Sequence, residues 1–258
     1  MQLFENIISY YGVIEGFVVR DLKDRYKSSY LGFFWTILHP LSLVVTYTFV
    51  FKYVFKVQID HYVIYLLSGL IPWIFFTTAI TNSSESIVHN FHLLNKVYFP
   101  REIFPIAIAV GQFIHFLISM TILLIAIICF THIHISSYYF ILPFLMMVQF
   151  FLILGSSFLF SMLMVYLKDV PLILNVVFQF LFFLCPIAYH LEAVPQKYRT
   201  LYLLNPFALI IHLYHQVIIF NNFEFNGHVF YVCFFSFLVM YISYFLFKRK
   251  EWEFVERA

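Results

Sequence analysis

From Leu31 to Phe51 the chain reads LGFFWTILHPLSLVVTYTFVF, 21 residues without a carboxylate or an ammonium group. At about 1.5 Å rise per residue, a helix of that length comes close to crossing a hydrocarbon layer ~30 Å thick. Just ahead of it lie Arg20, Lys23, Arg25 and Lys27, and basic residues beside a span favour the cytoplasmic side. This one stretch therefore predicts a membrane protein, a first crossing and its orientation. Composition agrees: only 11% of the residues are charged and 63% are hydrophobic, whereas a soluble domain carries about 25% charged residues. The net charge of +2 offers no broad field for nucleic acid.

Residues 1–30 place Leu3, Phe4, Ile7, Ile8, Tyr11, Ile14, Val18 and Leu22 on one stripe at helical spacing, with charged residues elsewhere. They predict an amphipathic helix lying in the membrane interface. Carboxylates recur through this segment and it has no continuous apolar core, which is not the pattern of a cleavable leader. Further uncharged or nearly uncharged runs at 62–81, 103–130, 138–167, 170–191 and 228–247 predict five more spans. Between the second and third, Asn82-Ser83-Ser84-Glu85 resembles a capping box. It predicts a separate amphipathic helix over 84–97, too short and polar to cross, which could dock on another protein. Gly69 and Pro72 predict a kink in the second span.

Leu201 to Phe220 is also uncharged, but counting it as a seventh crossing moves the C-terminal Lys248, Arg249, Lys250 and Arg257 to the far side. With six crossings, eleven of the fifteen Lys and Arg residues lie on the cytoplasmic side. Asn205-Pro206 further reads as a cap followed by proline in a first helical turn. Residues 193–222 are thus expected as short helices dipping in from the outer side, where irregular backbone survives only against protein or water. The expected fold is all-α and integral to the membrane, with six transmembrane helices in a single domain over 1–258 and both termini cytoplasmic.

No nucleotide-binding G-x-x-x-x-G-K, serine elbow or HExxH motif occurs. His89 with His92, and His212 with His215, form pairs at i, i+3, and Glu85 shares a face with the first. A metal site needs three or four ligands with an outer shell, and polar or interfacial histidines are the plainer reading of these pairs. Cys129, Cys185 and Cys233 are far apart and lie in apolar runs, which suits packing. Charged residues are missing from the spans, whereas ion-coupled carriers usually keep one as a relay. Energy for any transport is therefore expected from outside the chain. The spans instead carry aromatic and weakly polar groups at helical spacing: Trp35, His39, Ser42 and Thr46 in the first, and Asn175, Gln179, Phe182, Pro186 and Tyr189 in the fifth. Aromatic faces with scattered hydrogen-bonding groups suit a sugar, although such residues also serve packing and interfacial belts.

The stretch from Arg20 to Gly32 with Trp35 and Pro40, the run Asn95-Lys96-Val97-Tyr98-Phe99-Pro100-Arg101-Glu102, Asp169-Val170 and Asn205-Pro206 together resemble the permease subunit of type-2 ABC transporters. The similarity is to the branch that exports polysaccharides, O-antigen, capsule or teichoic acids. The resemblance implies a homodimer in a bacterial inner membrane, with two separate ATP-binding cassette subunits that hold ATP and Mg; the chain itself would bind no cofactor and no metal. It implies an ATPase-coupling helix bearing Glu85, Ile87, Phe91 and Leu94, and an outer gate at 193–222. It also implies a cytoplasmic entrance where a lipid headgroup meets Arg20, Arg25, Lys27, Leu31 and Gly32. The first and fifth helices would line the passage, so a lipid-linked glycan would slide over Trp35, His39, Ser42, Tyr47, Asn175, Phe178, Gln179, Phe182 and Tyr189. The alternatives are a drug or lipid efflux permease of the same superfamily and, from another class, a membrane-embedded lipid-linked sugar transferase using His or Asp at the interface, with Asp21, Asp24 and Asp169 available.

Overall fold

A computed structural model describes residues 6, 8–26, 34–91, 100–130 and 136–254, and among these no strand occurs. The helices are α1 (Tyr11–Tyr26), α2 (Trp35–Tyr47), α3 (Tyr62–His89), α4 (Ile103–Phe130), α5 (Leu142–Tyr166), α6 (Val170–Phe183), α7 (Gln196–Leu204), α8 (Pro206–Ile218) and α9 (Gly227–Lys250). Among the described residues, Tyr62–His89, Ile103–Cys129, Ser137–Tyr166 and Gly227–Glu253 are each long and apolar enough to cross a membrane. With these spans the protein is a multi-pass membrane protein.

Helices α3 and α5 form the buried centre, while α4 is buried mainly along its first half and α9 exposes much of its surface. Two glycines permit the tightest contacts. A Cβ at Gly155 of α5 would lie 2.6 Å from the backbone of Met240 in α9, so these helices meet backbone to backbone. A Cβ at Gly69 of α3 would stand 2.8 Å from the imidazole of His215 in α8. Small residues that let helices approach this closely are a common basis of packing in lipid. Gln149 of α5 joins three helices: its Nε2 donates to the Pro72 carbonyl in α3 at 2.9 Å, and its Oε1 accepts from the Tyr214 hydroxyl of α8 at 2.9 Å.

Asn205 caps α8 by accepting from the Phe207 N–H at 3.1 Å, and Pro206 occupies the first turn. Helices α7 and α8 meet at a bend of 103°, as the Asn-Pro pair predicts. Almost every apolar residue of α8 is buried against the central helices.

Four boundaries differ from the sequence expectation. The second span does not stop near Thr81, because α3 continues through Asn82–Glu85 to His89. The hydroxyls there bond within the helix, Ser84 to Thr81 O and Ser86 to Ser83 O, rather than capping a new one. No glycine or proline interrupts the run, so the expected start at residue 84 has no break to begin from. Residues 92–97 of the expected coupling helix lie outside the described residues. In the fifth run, α6 ends at Phe183 instead of continuing to Leu191. Its 14 residues reach only about 21 Å. Pro186 lacks an N–H and disfavours helical backbone at Cys185, so the chain continues as turns. The first run extends past Phe51 as a π-helical turn over Thr48–Val54. The N-terminal helix is described as α1; its inward residues are Ile14 and Val18, whereas Ile8 and Tyr11 are exposed.

Candidate functional site

Helices α2, α3 and α6 meet along an aromatic seam. The Tyr47 and Phe182 rings stack with centroids 4.9 Å apart, and Trp73 of α3 stands edge-on to Phe182 at 5.9 Å and to Phe178 at 6.0 Å. Of the residues expected to line a passage, the fold thus brings Tyr47, Phe178 and Phe182 together. Phe178 and Phe182 are buried, while Asn175 and Gln179 occupy exposed positions on α6. The four stand at i, i+3, i+4 and i+7 on one broad helix face, and packing divides it: Phe178 and Phe182 turn into the seam, while Asn175 and Gln179 lie on its exposed flank. Trp35, His39 and Ser42 are exposed on α2, and the Ser42 hydroxyl donates to His39 O at 2.8 Å. Tyr189 is half-buried and donates its hydroxyl to Phe183 O at 2.7 Å.

Beside the seam, a cavity of about 310 Å³ opens between α2, α3 and α4. Trp35 and His39 of α2 line it together with Thr78 of α3 and Gln112 and His115 of α4. Nothing in the sequence pattern marked α4 as a contributor, since Gln112 and His115 sit singly in a long apolar run.

The turns after α6 are held by tyrosine hydroxyls: Tyr62 donates to Ala188 O at 3.1 Å and Tyr65 to Tyr189 O at 2.8 Å. Irregular backbone in lipid needs such partners, and here α3 supplies them. His215 stacks on Tyr65 at 3.9 Å and its Nε2 lies 3.1 Å from Tyr65 O, so packing occupies this member of the His212–His215 pair. On the same face, a wider cavity of about 1150 Å³ is bordered by Lys52, Lys56, Asp60, His61 and His190. Burial holds the His190 imidazole below its usual pKa, with the Glu192 carboxylate partly opposing that shift.

The opposite face is built on charge. Glu102 is fully buried; it accepts from Lys248 at 2.6 Å and from Asn6 Nδ2 at 2.9 Å. Lys248 also pairs with Glu251 at 2.9 Å, and Arg101 donates to both the side chain and the backbone carbonyl of Glu251. Tyr166 at the end of α5 donates to Glu253 at 2.8 Å. The N-terminal segment and the end of α9 therefore meet on one face. Nothing in the pattern around Arg101-Glu102 points to Lys248; the fold alone places it beside Glu102.

Arg20, expected at a lipid headgroup, donates to Asn90 Oδ1 at 2.8 Å at the end of α3 and lies 4.8 Å over the Phe17 ring. Its guanidinium ties α1 to α3. The Arg25 backbone belongs to α1, but its side chain, together with Lys27, Leu31, Gly32 and Leu94, falls outside the described residues. Of the expected coupling residues, Glu85 is part-exposed and lies 3.9 Å from His89 Nδ1. Phe91 is half-buried. Ile87 is fully buried in the cluster with Ile14, Val18 and Ile103, which corrects its assignment to a docking surface. The apolar face of that segment is turned toward the chain's own N-terminal helix.

The comparisons with known proteins follow the same outline. Residues 14–219 match the family model described as ABC-2 type transporter. The chain is 31% identical over 192 residues to an O-antigen export system permease protein of Klebsiella pneumoniae, covering 74% of each. It is 26% identical over 219 residues to one of Myxococcus xanthus, covering 84% of each. Over 248 residues it is 22% identical to a polysialic acid transport protein of Escherichia coli, covering 92% of this chain and 93% of that one. With four helices among the described residues long and apolar enough to span, a sharply bent helix pair and a family match over most of its length, the chain belongs to the ABC-2 type transporter family.

Proposed function

We propose that the chain is the membrane permease of an ATP-driven exporter that moves a lipid-linked polysaccharide out of the cytoplasm across the bacterial inner membrane. The observation that carries this reading is the similarity to O-antigen export permeases along 74% and 84% of the chain. In this reading the permease works as a homodimer above two ATP-binding cassette subunits, which bind ATP and Mg. The chain contributes no catalytic group of its own.

Six crossings accommodate the helices. These are α2 with its π-helical turn, α3, α4, α5, α6 with the turns that follow it, and α9. The bent pair α7–α8 enters and leaves from the outer side as a gate. The meeting of Asn6, Glu102 and Lys248 on one face supports an even number of crossings with both termini cytoplasmic. The seam Tyr47–Phe182–Trp73 joins the two helices expected to border the passage, so a movement of α2 against α6 opens or closes it. Phe91 and the segment after it form the docking point for the ATPase. A long polymer needs weak contacts repeated along its path rather than one tight site, because each unit must also leave.

The experiment is to remove the chain from its host and restore it together with its ATPase. Loss of surface glycan, build-up of lipid-linked glycan on the cytoplasmic side and recovery on restoration are expected. Undiminished surface glycan without the chain would overturn the reading.

A further inference from the structure

The cavity between α2, α3 and α4 is lined by a mixture of groups that hydrocarbon alone does not satisfy. One wall is the stacked pair Phe75 and Phe116, with centroids 4.7 Å apart and planes within 10°. Trp35, more than half exposed, adds an indole. Among these lie the polar side chains of His39, Thr78 and Gln112. Gln112 is only 3% exposed, and its Nε2 is buried without a hydrogen-bond partner. It sits nine residues into α4, about 14 Å along the helix at 1.5 Å per residue, so it lies within the hydrocarbon layer. An amide left unpaired at that depth is costly and calls for a partner.

The lining also narrows the ligand class. No carboxylate or ammonium borders the cavity among the described residues, so a charged ligand would find no counter-ion. An acyl chain would fill the volume and leave the Gln112 amide unpaired. The volume of about 310 Å³ corresponds to roughly ten waters at ~30 Å³ each, room for one pyranose ring with its hydroxyls. Such a ring presents C–H faces to aromatic walls and hydroxyls to amide, imidazole and hydroxyl groups. The last torsion of a Gln side chain is broad, so a small rotation turns the N–H₂ toward the cavity.

The geometry points to a binding site for a single neutral sugar residue of the exported chain, seated between α2, α3 and α4 with the Gln112 amide as its hydrogen-bond donor. This rests on the export reading and deepens it by giving α4 a part in selecting the glycan. Trp35 and His39 then belong both to the passage and to this side pocket, which tests one sugar unit as the polymer moves by.

The test uses Gln112→Leu and Thr78→Val in the full chain with its ATPase. Leucine keeps much of the volume and removes the unpaired amide, so melting of the purified chain stays equal or rises. The probe is a neutral tetrasaccharide cut from the host's own surface glycan, titrated onto the full chain in nanodiscs. Gln112→Leu is expected to raise the half-saturating concentration at least tenfold and to lower surface glycan by a similar factor, with Thr78→Val giving a severalfold effect. Phospholipid co-purifying with the chain, counted by mass spectrometry, is expected to remain constant. Equal saccharide affinity in the wild type and both variants overturns the site while leaving the export reading intact. Loss of a bound phospholipid with saccharide affinity unchanged also overturns it, assigning the cavity to lipid. Surface glycan that does not depend on the chain removes both inferences. Should Gln112→Leu melt early, Thr78→Val alone decides between these outcomes.

Discussion

Lys248 and Glu102 lie 146 positions apart in sequence and meet at 2.6 Å, with the carboxylate fully buried and the ammonium side chain 21% exposed. Around this pair Asn6, Arg101 and Glu251 add hydrogen bonds. The N-terminal segment, the start of α4 and the end of α9 are thereby fastened together at one membrane face. Removing one member of a buried pair leaves the other charge unsatisfied, at a cost of about 3–5 kcal/mol. Lys248→Met alone should lower the melting temperature markedly. The double change Glu102→Leu with Lys248→Met should recover much of that loss, since an apolar pair has no charge to desolvate. Additive losses in the two single variants and the double would show that the pair is not coupled.

Gly155 and Gly16 give opposite expectations. At Gly155→Ala the new methyl would meet the Met240 backbone at 2.6 Å, so α5 and α9 must separate, a strain of about 1–3 kcal/mol. At Gly16 of α1 nothing lies within 4 Å, and alanine there should stabilise the helix by roughly 0.5–1 kcal/mol. Thermal melts of the two variants check both signs; equal behaviour would contradict the close approach.

Gln149→Leu removes the bond to Pro72 O and leaves the buried Tyr214 hydroxyl without its acceptor. An unsatisfied buried group costs about 1–3 kcal/mol. Adding Tyr214→Phe should restore part of the stability, because the stranded hydroxyl is gone. A double variant less stable than Gln149→Leu would argue against this account.

Ile87 and Phe91 separate folding from docking. Aspartate at Ile87 forces a carboxylate into a fully buried apolar cluster and should abolish the folded chain. Aspartate at Phe91, which is half-buried, should leave a folded permease that loses ATPase association and export on the proposed mechanism. Retention of both by Phe91→Asp would remove that residue from the docking surface.

His190 provides a pH test at the face opposite the Lys248 cluster. Its folded pKa lies below the ordinary value of 6.5, mainly through burial. The unfolded chain therefore binds the proton more readily, and stability falls as pH drops through 6.5 toward the folded value. Near pH 8 both states are neutral and the contribution is flat. His190→Gln should flatten the melting temperature between pH 5 and 7 relative to the wild type. An unchanged slope would assign the dependence to another group.

How far the sequence could be read varies from element to element. Charge-free runs revealed the long helices α3, α4, α5 and α9, because lipid favours a helix for twenty apolar residues, whereas the equally uncharged runs at 31–51 and 170–191 gave only the shorter α2 and α6. The Asn205-Pro206 pair revealed the bend between α7 and α8 because a cap and a proline act locally. The run Asn82–Glu85 misled, since Ser and Asn serve equally as caps or as residues bonding back along a continuing helix. Only the neighbours of that helix decide between the two. Arg20 and Ile87 were legible as an exposed cation and an apolar helix residue. Their partners, Asn90 and the Ile14–Val18 face of α1, come from segments about seventy residues away.

The sequence by itself determined the solvent and the all-helical class, because these follow from hydropathy and from the length of the apolar runs. Tertiary structure alone decided that Glu102 meets Lys248, that the α6 aromatics meet Tyr47 and Trp73, and that Gln112 borders a cavity with Trp35. The physical reason is range. Burial from water is a property that each segment carries alone, whereas a hydrogen bond or a stacked ring requires two segments placed within a few ångströms by the packing of all the others.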